Sequence, residues 1–132
     1  MTRSVLSLRP LLAVDAAMCL ACGLVLASAA GALSGMLALP EGLLRGAGLI
    51  LLPWALFLGW CASRADVPRR AVLAVVAVNL LWAADSVVLL ASGWVAPNGM
   101  GAAFILVQAA AAAGLAVLQA LALPPAPQMQ RA

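Results

Sequence analysis

The stretch AVLAVVAVNLLWAADSVVLLA, residues 71–91, decides the architecture of this chain. At about 1.5 Å of rise per residue it is long enough to cross the roughly 30 Å of hydrocarbon in a bilayer as one helix. Its only charged residue is Asp85. A helix satisfies its own backbone hydrogen bonds, which is the condition for an apolar segment to sit in lipid. Three further runs have the same character, at residues 11–33, 43–62 and 101–123. The connectors hold what a helix interior rejects: Pro40 and Glu41 in the first, SRADVPRR at 63–70 in the second, SGWVAPNGM at 92–100 in the third. Connectors this short make neighbouring helices antiparallel. The sequence therefore predicts an all-α integral membrane protein, a four-helix up-down-up-down bundle over residues 1–123, followed by a disordered proline-rich cytoplasmic tail at 124–132.

Composition supports lipid as the solvent. Hydrophobic residues make up 67% of the chain and charged residues 8%, and the mean hydropathy is +1.16. An average soluble domain has about 25% charged residues. The basic residues are all arginine and alanine is abundant, which matches the codon usage of a GC-rich bacterial genome. A pI near 9.3 invites a nucleic-acid reading, but the arginines are scattered over separate segments and form no stripe, so no nucleic-acid partner is expected. Their placement reports orientation instead. Arg3, Arg9, Arg64, Arg69, Arg70 and Arg131 flank one set of span ends and Arg45 alone the other, which puts both termini in the cytoplasm and the chain in a bacterial inner membrane. Trp94, and in part Trp54 and Trp60, suit the interface. A cleaved signal peptide is the rival reading of the first run, given the basic start MTRSVLSLRP and the small residues of SAAGALSG. That run exceeds a signal core in length and Asp15 interrupts it, so a retained helix is expected.

In so apolar a bundle the informative residues are polar ones within the spans: Asp15, Asn79, Asp85, Gln108 and Gln119. On the third span, at about 100° per residue, Asn79 and Ser86 nearly coincide, Trp82 lies about 60° away and Asp85 about 120° away, which places all four in one sector. On the fourth, Gln108 and Gln119 share a face, being almost three whole turns apart. Depth pairs Asp85 with Gln108, each roughly 10 Å below the outer end of its helix, and Asp15 with Gln119 nearer the cytoplasm. Asn79 lies between the two levels. Arginines 9, 64, 69 and 70 lie within range of Asp15. Asp85, Gln108, Asn79, Trp82, Asp15, Gln119 and Arg45 are thus the candidates for ligand or proton binding, with helix-to-helix bonding as the simpler role. Arg45 follows Glu41 by one turn and pairs with it, or else reaches inward to Asp85. Gly23, Ala27, Gly31 and Gly35 form a ridge of small residues, suited to close packing within the bundle or across a dimer.

Chemistry is sparse. The chain has no histidine, which removes imidazole metal sites and the commonest general base, and no phosphate-binding glycine loop or metal-ligand spacing replaces it. No metal, cofactor or enzymatic activity is expected. Cys19 and Cys22 form a C-x-x-C pair like that of membrane thiol oxidoreductases, but in mid-helix and without an outer-loop cysteine pair to exchange with, and Cys61 does not change this. They are expected to be inert.

Three stretches, LPEGLLRGAGLILLPWA (Leu39 to Ala55), VNLLWAADS (Val78 to Ser86) and GAAFILVQA (Gly101 to Ala109), resemble a family of small uncharacterised four-helix integral membrane proteins of bacteria. The resemblance covers nearly the whole chain and implies topology without an activity. The small multidrug resistance transporters are similar in length and carry an essential acid in the first helix, where this chain has Asp15. They have a glutamate there, and their best-known branch has a weaker charge bias. The expected role is therefore a non-enzymatic accessory or interaction subunit or a homo-oligomer, its partners the lipid bilayer and a membrane protein or a second copy. A small proton-coupled transporter or channel using the intramembrane carboxylates is the alternative, and a membrane thiol redox enzyme a third.

Overall fold

The structure, a computed structural model, describes residues 7–123. Its regular elements are all helical: α1 (Leu8–Ser28), α2 (Ala30–Leu37), α3 (Glu41–Ser63), α4 (Arg69–Ala91) and α5 (Gly99–Ala122). Of these, α1, α3, α4 and α5 are long and apolar enough to cross a membrane. The tail at 124–132 lies outside the described residues, as does Arg3.

The later helices begin slightly before their apolar runs because capping residues, which hydropathy does not weigh, set the starts. Pro40 and Pro68 precede α3 and α4, and Glu41 places a carboxylate in the first turn of α3, where the helix dipole favours it. Asn98 caps α5, its Oδ1 accepting from Gly101 N at 2.8 Å.

The first run departs from expectation. In place of a single span at 11–33, the helix starts at Leu8, breaks at Ala29 (φ −110°, ψ 20°) and resumes as α2 up to Leu37. Two polar side chains account for the break. Ser28 Oγ donates back to the Leu24 carbonyl, a bond that loosens a helical turn, and Arg45 Nε donates to the Ala27 carbonyl at 3.4 Å. Beyond α2, Ala38 is left-handed (φ 55°), a conformation usually given to glycine at a helix end. Asn98 takes up the carbonyls released there, Nδ2 on Met36 at 2.8 Å and its backbone N–H on Leu37 at 3.3 Å. One asparagine thus ends α2 and starts α5.

Packing divides the molecule into two helix pairs. In the first, α1 and α3 meet backbone to backbone: a Cβ placed on Gly48 would lie 2.5 Å from Ala27 N and 2.8 Å from Gly23 O. The first half of the small-residue ridge therefore packs inside the bundle, while Gly31 approaches the Glu41 carboxylate and Gly35 faces open space. Each helix of this pair also caps the other. Arg9 donates to the Ala62 carbonyl at 3.1 Å near the end of α3, and Arg45 of α3 donates near the end of α1. The two helices therefore run in opposite directions. The second pair is α4 with α5; contacts of α5 with α1 and α2 join the pairs, while the backbones of α3 and α4 stay apart.

The core follows this division. One cluster (Leu12, Leu58, Cys61, Val75) lies at the end bearing Arg9 and Arg64, and a larger one (including Leu26, Leu37, Leu44, Leu51, Val95 and Ile105) at the end bearing Arg45. The outer faces are as apolar as the core: Leu56 is 73% exposed, Leu121 69% and Val107 68%. Exposed apolar side chains around a whole molecule are foreign to a soluble monomer.

Candidate functional site

Between the two clusters, α1, α4 and α5 each turn a polar side chain inward. Asp15 is 3% exposed, Asn79 5% and Gln119 fully buried. Asn79 Nδ2 and Gln119 Nε2 both donate to Asp15 Oδ2 at 2.8 Å, and Asn79 Nδ2 also donates to Gln119 Oε1 at 3.2 Å. The depth match of Asp15 with Gln119 is thus realised, with Asn79 joined to both. Cys19 adds a fourth member, its thiol donating weakly to Asp15 Oδ1 at 3.6 Å. The sequence reading missed that contact, although the i,i+4 spacing puts Cys19 on the face of Asp15. All these donors are neutral. Arg9 is held by Ala62, and Arg64 stacks over the Trp60 ring at 4.8 Å.

One helical stage further along, a second group forms without Asp85. Trp82 Nε1 donates to Gln108 Oε1 at 2.6 Å, while Gln108 Nε2 donates to Ser86 Oγ at 2.9 Å and to the Ile105 carbonyl at 3.0 Å. The expected pairing of Asp85 with Gln108 is therefore corrected: Gln108 is occupied, and Asp85 is exposed and makes no hydrogen bond or ion pair among the described residues. Rotation explains this. Ser86 lies within about 20° of Asn79 around α4 and is buried with it, whereas a 120° displacement carries Asp85 off that face. Nor does Arg45 reach Asp85; it pairs with Glu41 at 3.0 Å, as the i,i+4 spacing expects.

The two polar groups line two cavities. The larger, about 400 Å³, has Asp15, Cys19, Asn79, Trp82 and Gln108 in a wall otherwise made of apolar side chains such as Leu51, Trp54 and Val78. The smaller, about 270 Å³, is lined by Asp85, Ser86, Phe104 and leucines of α1, α3 and α4. Cys22, Trp82 and Gln108 line both, so the Trp82–Gln108 bond stands between them. Met18 and Ile50, 44% and 62% exposed, border the larger cavity and open it to the outer surface.

The three cysteines are free thiols, and no group of residues able to hold a metal ion occurs among the described residues. No protein-family model, curated protein or solved structure matches this chain.

Proposed function

We propose that this chain is a non-enzymatic multipass protein of a bacterial inner membrane that serves as an accessory or interaction subunit, or as a homo-oligomer. In this reading α1, α3, α4 and α5 cross the bilayer up, down, up and down, with both termini and the arginine-rich connector at 64–70 in the cytoplasm. The apolar outer faces support insertion, and the six-to-one distribution of arginines supports the orientation. The observation that carries the accessory role is internal closure. Every buried side-chain nitrogen and oxygen among the described residues has a hydrogen-bond partner, so no fully buried polar group is left unsatisfied in a way that calls for chemistry. What the protein offers a partner is its apolar flank.

Two measurements test this reading. Reporter fusions after residue 66 are expected to read cytoplasmic, and fusions at Pro40 and Pro97 external; an external reading at 66 rejects the orientation. Purification in mild detergent is expected to yield either a stoichiometric membrane partner or a homo-oligomer, and a monodisperse monomer without partner counts against the role. A second reading, a small proton-coupled transporter, is favoured by one observation: Asp15 is not only buried but also lines a cavity open to the outer surface.

A further inference from the structure

The hydrogen-bond inventory of the larger cavity wall is uneven around Asp15. Both N–H bonds of the Asn79 amide are spent, on Asp15 and Gln119. Both N–H bonds of the Gln108 amide are spent on Ser86 and Ile105, and the Trp82 N–H is spent on Gln108. Cys19 directs its thiol at Asp15. Beside Asp15 the unspent capacity lies with acceptors, while elsewhere on the wall the Trp54 N–H and the Cys22 thiol donate to no group among the described residues. Asp15 Oδ1 has only the weak thiol of Cys19, whereas Oδ2 accepts from both Asn79 and Gln119. Oδ1 is therefore the carboxylate oxygen with capacity for a further strong donor. Asn79 Oδ1 accepts no bond, and since no buried polar atom lacks a partner, it must be accessible. The wall thus presents two oxygen acceptors, one on a carboxylate paired only with neutral donors, within an apolar surround.

We propose that this cavity binds an amphiphilic primary ammonium ion, its N–H bonds on Asp15 Oδ1 and Asn79 Oδ1 and its hydrocarbon body among Leu51, Trp54 and Val78. Each part of the ligand answers a feature of the wall. Positive charge complements a carboxylate that has no cationic partner, and charge-assisted bonds of this kind are roughly twice as strong as neutral ones. At least two N–H bonds are needed to serve both acceptors, which a quaternary ammonium cannot supply. An anionic head would face the like charge of the Asp15 carboxylate. The volume, about 400 Å³, falls within the range of small-molecule sites, and the opening beside Met18 and Ile50 admits a ligand along the outer apolar surface. The inference goes beyond the accessory role and does not rest on it, because a subunit and a transporter can equally hold such a ligand.

The test is titration calorimetry of the full chain in phosphatidylcholine nanodiscs, with empty discs subtracted, using octylammonium as probe. Saturable binding of one probe per chain is expected. Trimethyloctylammonium, with the same charge and no N–H, is expected to bind at least about tenfold more weakly, the worth of one charge-assisted hydrogen bond. Asp15→Asn should show a loss of the same size. Because Asp15 also joins helices, Ala112→Phe serves as a second variant; it fills the cavity from α5 while leaving Asp15, Asn79 and Gln119 unsubstituted, and is expected to abolish binding while circular dichroism and melting stay as in the wild type. Absence of saturable binding, equal binding of the two ammonium ions, or undiminished binding by folded Ala112→Phe would each overturn the proposal. None of these outcomes bears on orientation or oligomeric state.

Discussion

The interface of α1 with α3 and the junction of α1 with α4 and α5 are built on opposite principles. The first is closed by absence of side chains: Gly48 lies against Ala27 and Gly23 so closely that no Cβ fits, and arginines cap the helix ends. The second is closed by side chains that reach across a gap, through the bonds of Asp15, Asn79 and Gln119, and leaves a cavity beside them. If the apolar outer faces look toward lipid, as proposed, there is little hydrophobic force between helices, so packing and hydrogen bonds must hold them. Backbone contact uses the first source and leaves no room. The polar junction uses the second and keeps a space that a ligand or a motion can use.

The contrast is broken most strongly at Gly48. Gly48→Leu places a side chain where even a Cβ would meet backbone atoms of α1, and overpacking of that kind costs about 3 kcal/mol. Gly46→Leu is the control, because nothing lies within 4 Å of a Cβ built there, and it should stay within about 0.5 kcal/mol of wild type. Unfolding by titration with sodium dodecyl sulfate in mixed micelles measures both. Equal effects at the two positions would mean that α1 and α3 do not meet as closely as described.

A smaller effect is expected at the polar junction. Gln119→Leu keeps the volume of a fully buried side chain but removes a donor to Asp15 and an acceptor for Asn79. Membrane hydrogen bonds average about 0.6 kcal/mol in double-mutant cycles, so the loss of two is worth about 1 kcal/mol, and the buried Asn79 N–H left without its Gln119 acceptor raises this toward 2. The same titration should place Gln119→Leu between Gly48→Leu and Gly46→Leu. A loss as large as that of Gly48→Leu would make the polar junction the principal tie of the fold.

These features were unevenly legible in the sequence. The four long helices could be read because lipid demands long apolar runs, and proline-bearing connectors delimit them. The break at Ala29 could not, because a serine that bonds back to its own helix rarely ends one by itself and the second cause, Arg45 reaching the Ala27 carbonyl, comes from another helix. Asp15 with Gln119 could be matched by depth, since antiparallel neighbours bring residues at equal height together. Asp85 with Gln108 satisfied the same height rule and still failed, because height ignores rotation: Ser86 and Trp82 face Gln108 and take its amide. The cavity had no sequence signal, being the space that α3 and α4 leave by staying apart.

Asp85 gives the smallest expected effect and the sharpest reading of the two regions. It borders the smaller cavity, is exposed, and has no partner among the described residues, so Asp85→Asn removes a charge that no side chain answers. An exposed substitution away from caps, cavity-filling groups and ion pairs stays within about 0.5 kcal/mol. The expected outcome is unfolding indistinguishable from wild type, together with unchanged octylammonium binding, since the proposed head-group contacts lie on Asp15 and Asn79 beyond the Trp82–Gln108 bond. A loss of about 1 kcal/mol or more would assign Asp85 a partner outside this chain, and dilution of the protein in detergent would then identify a second copy if the loss shrank on dilution. Weakened ligand binding with intact stability would instead join the two cavities into one site, moving the functional centre from the α1, α4 and α5 junction toward the end that bears Arg45.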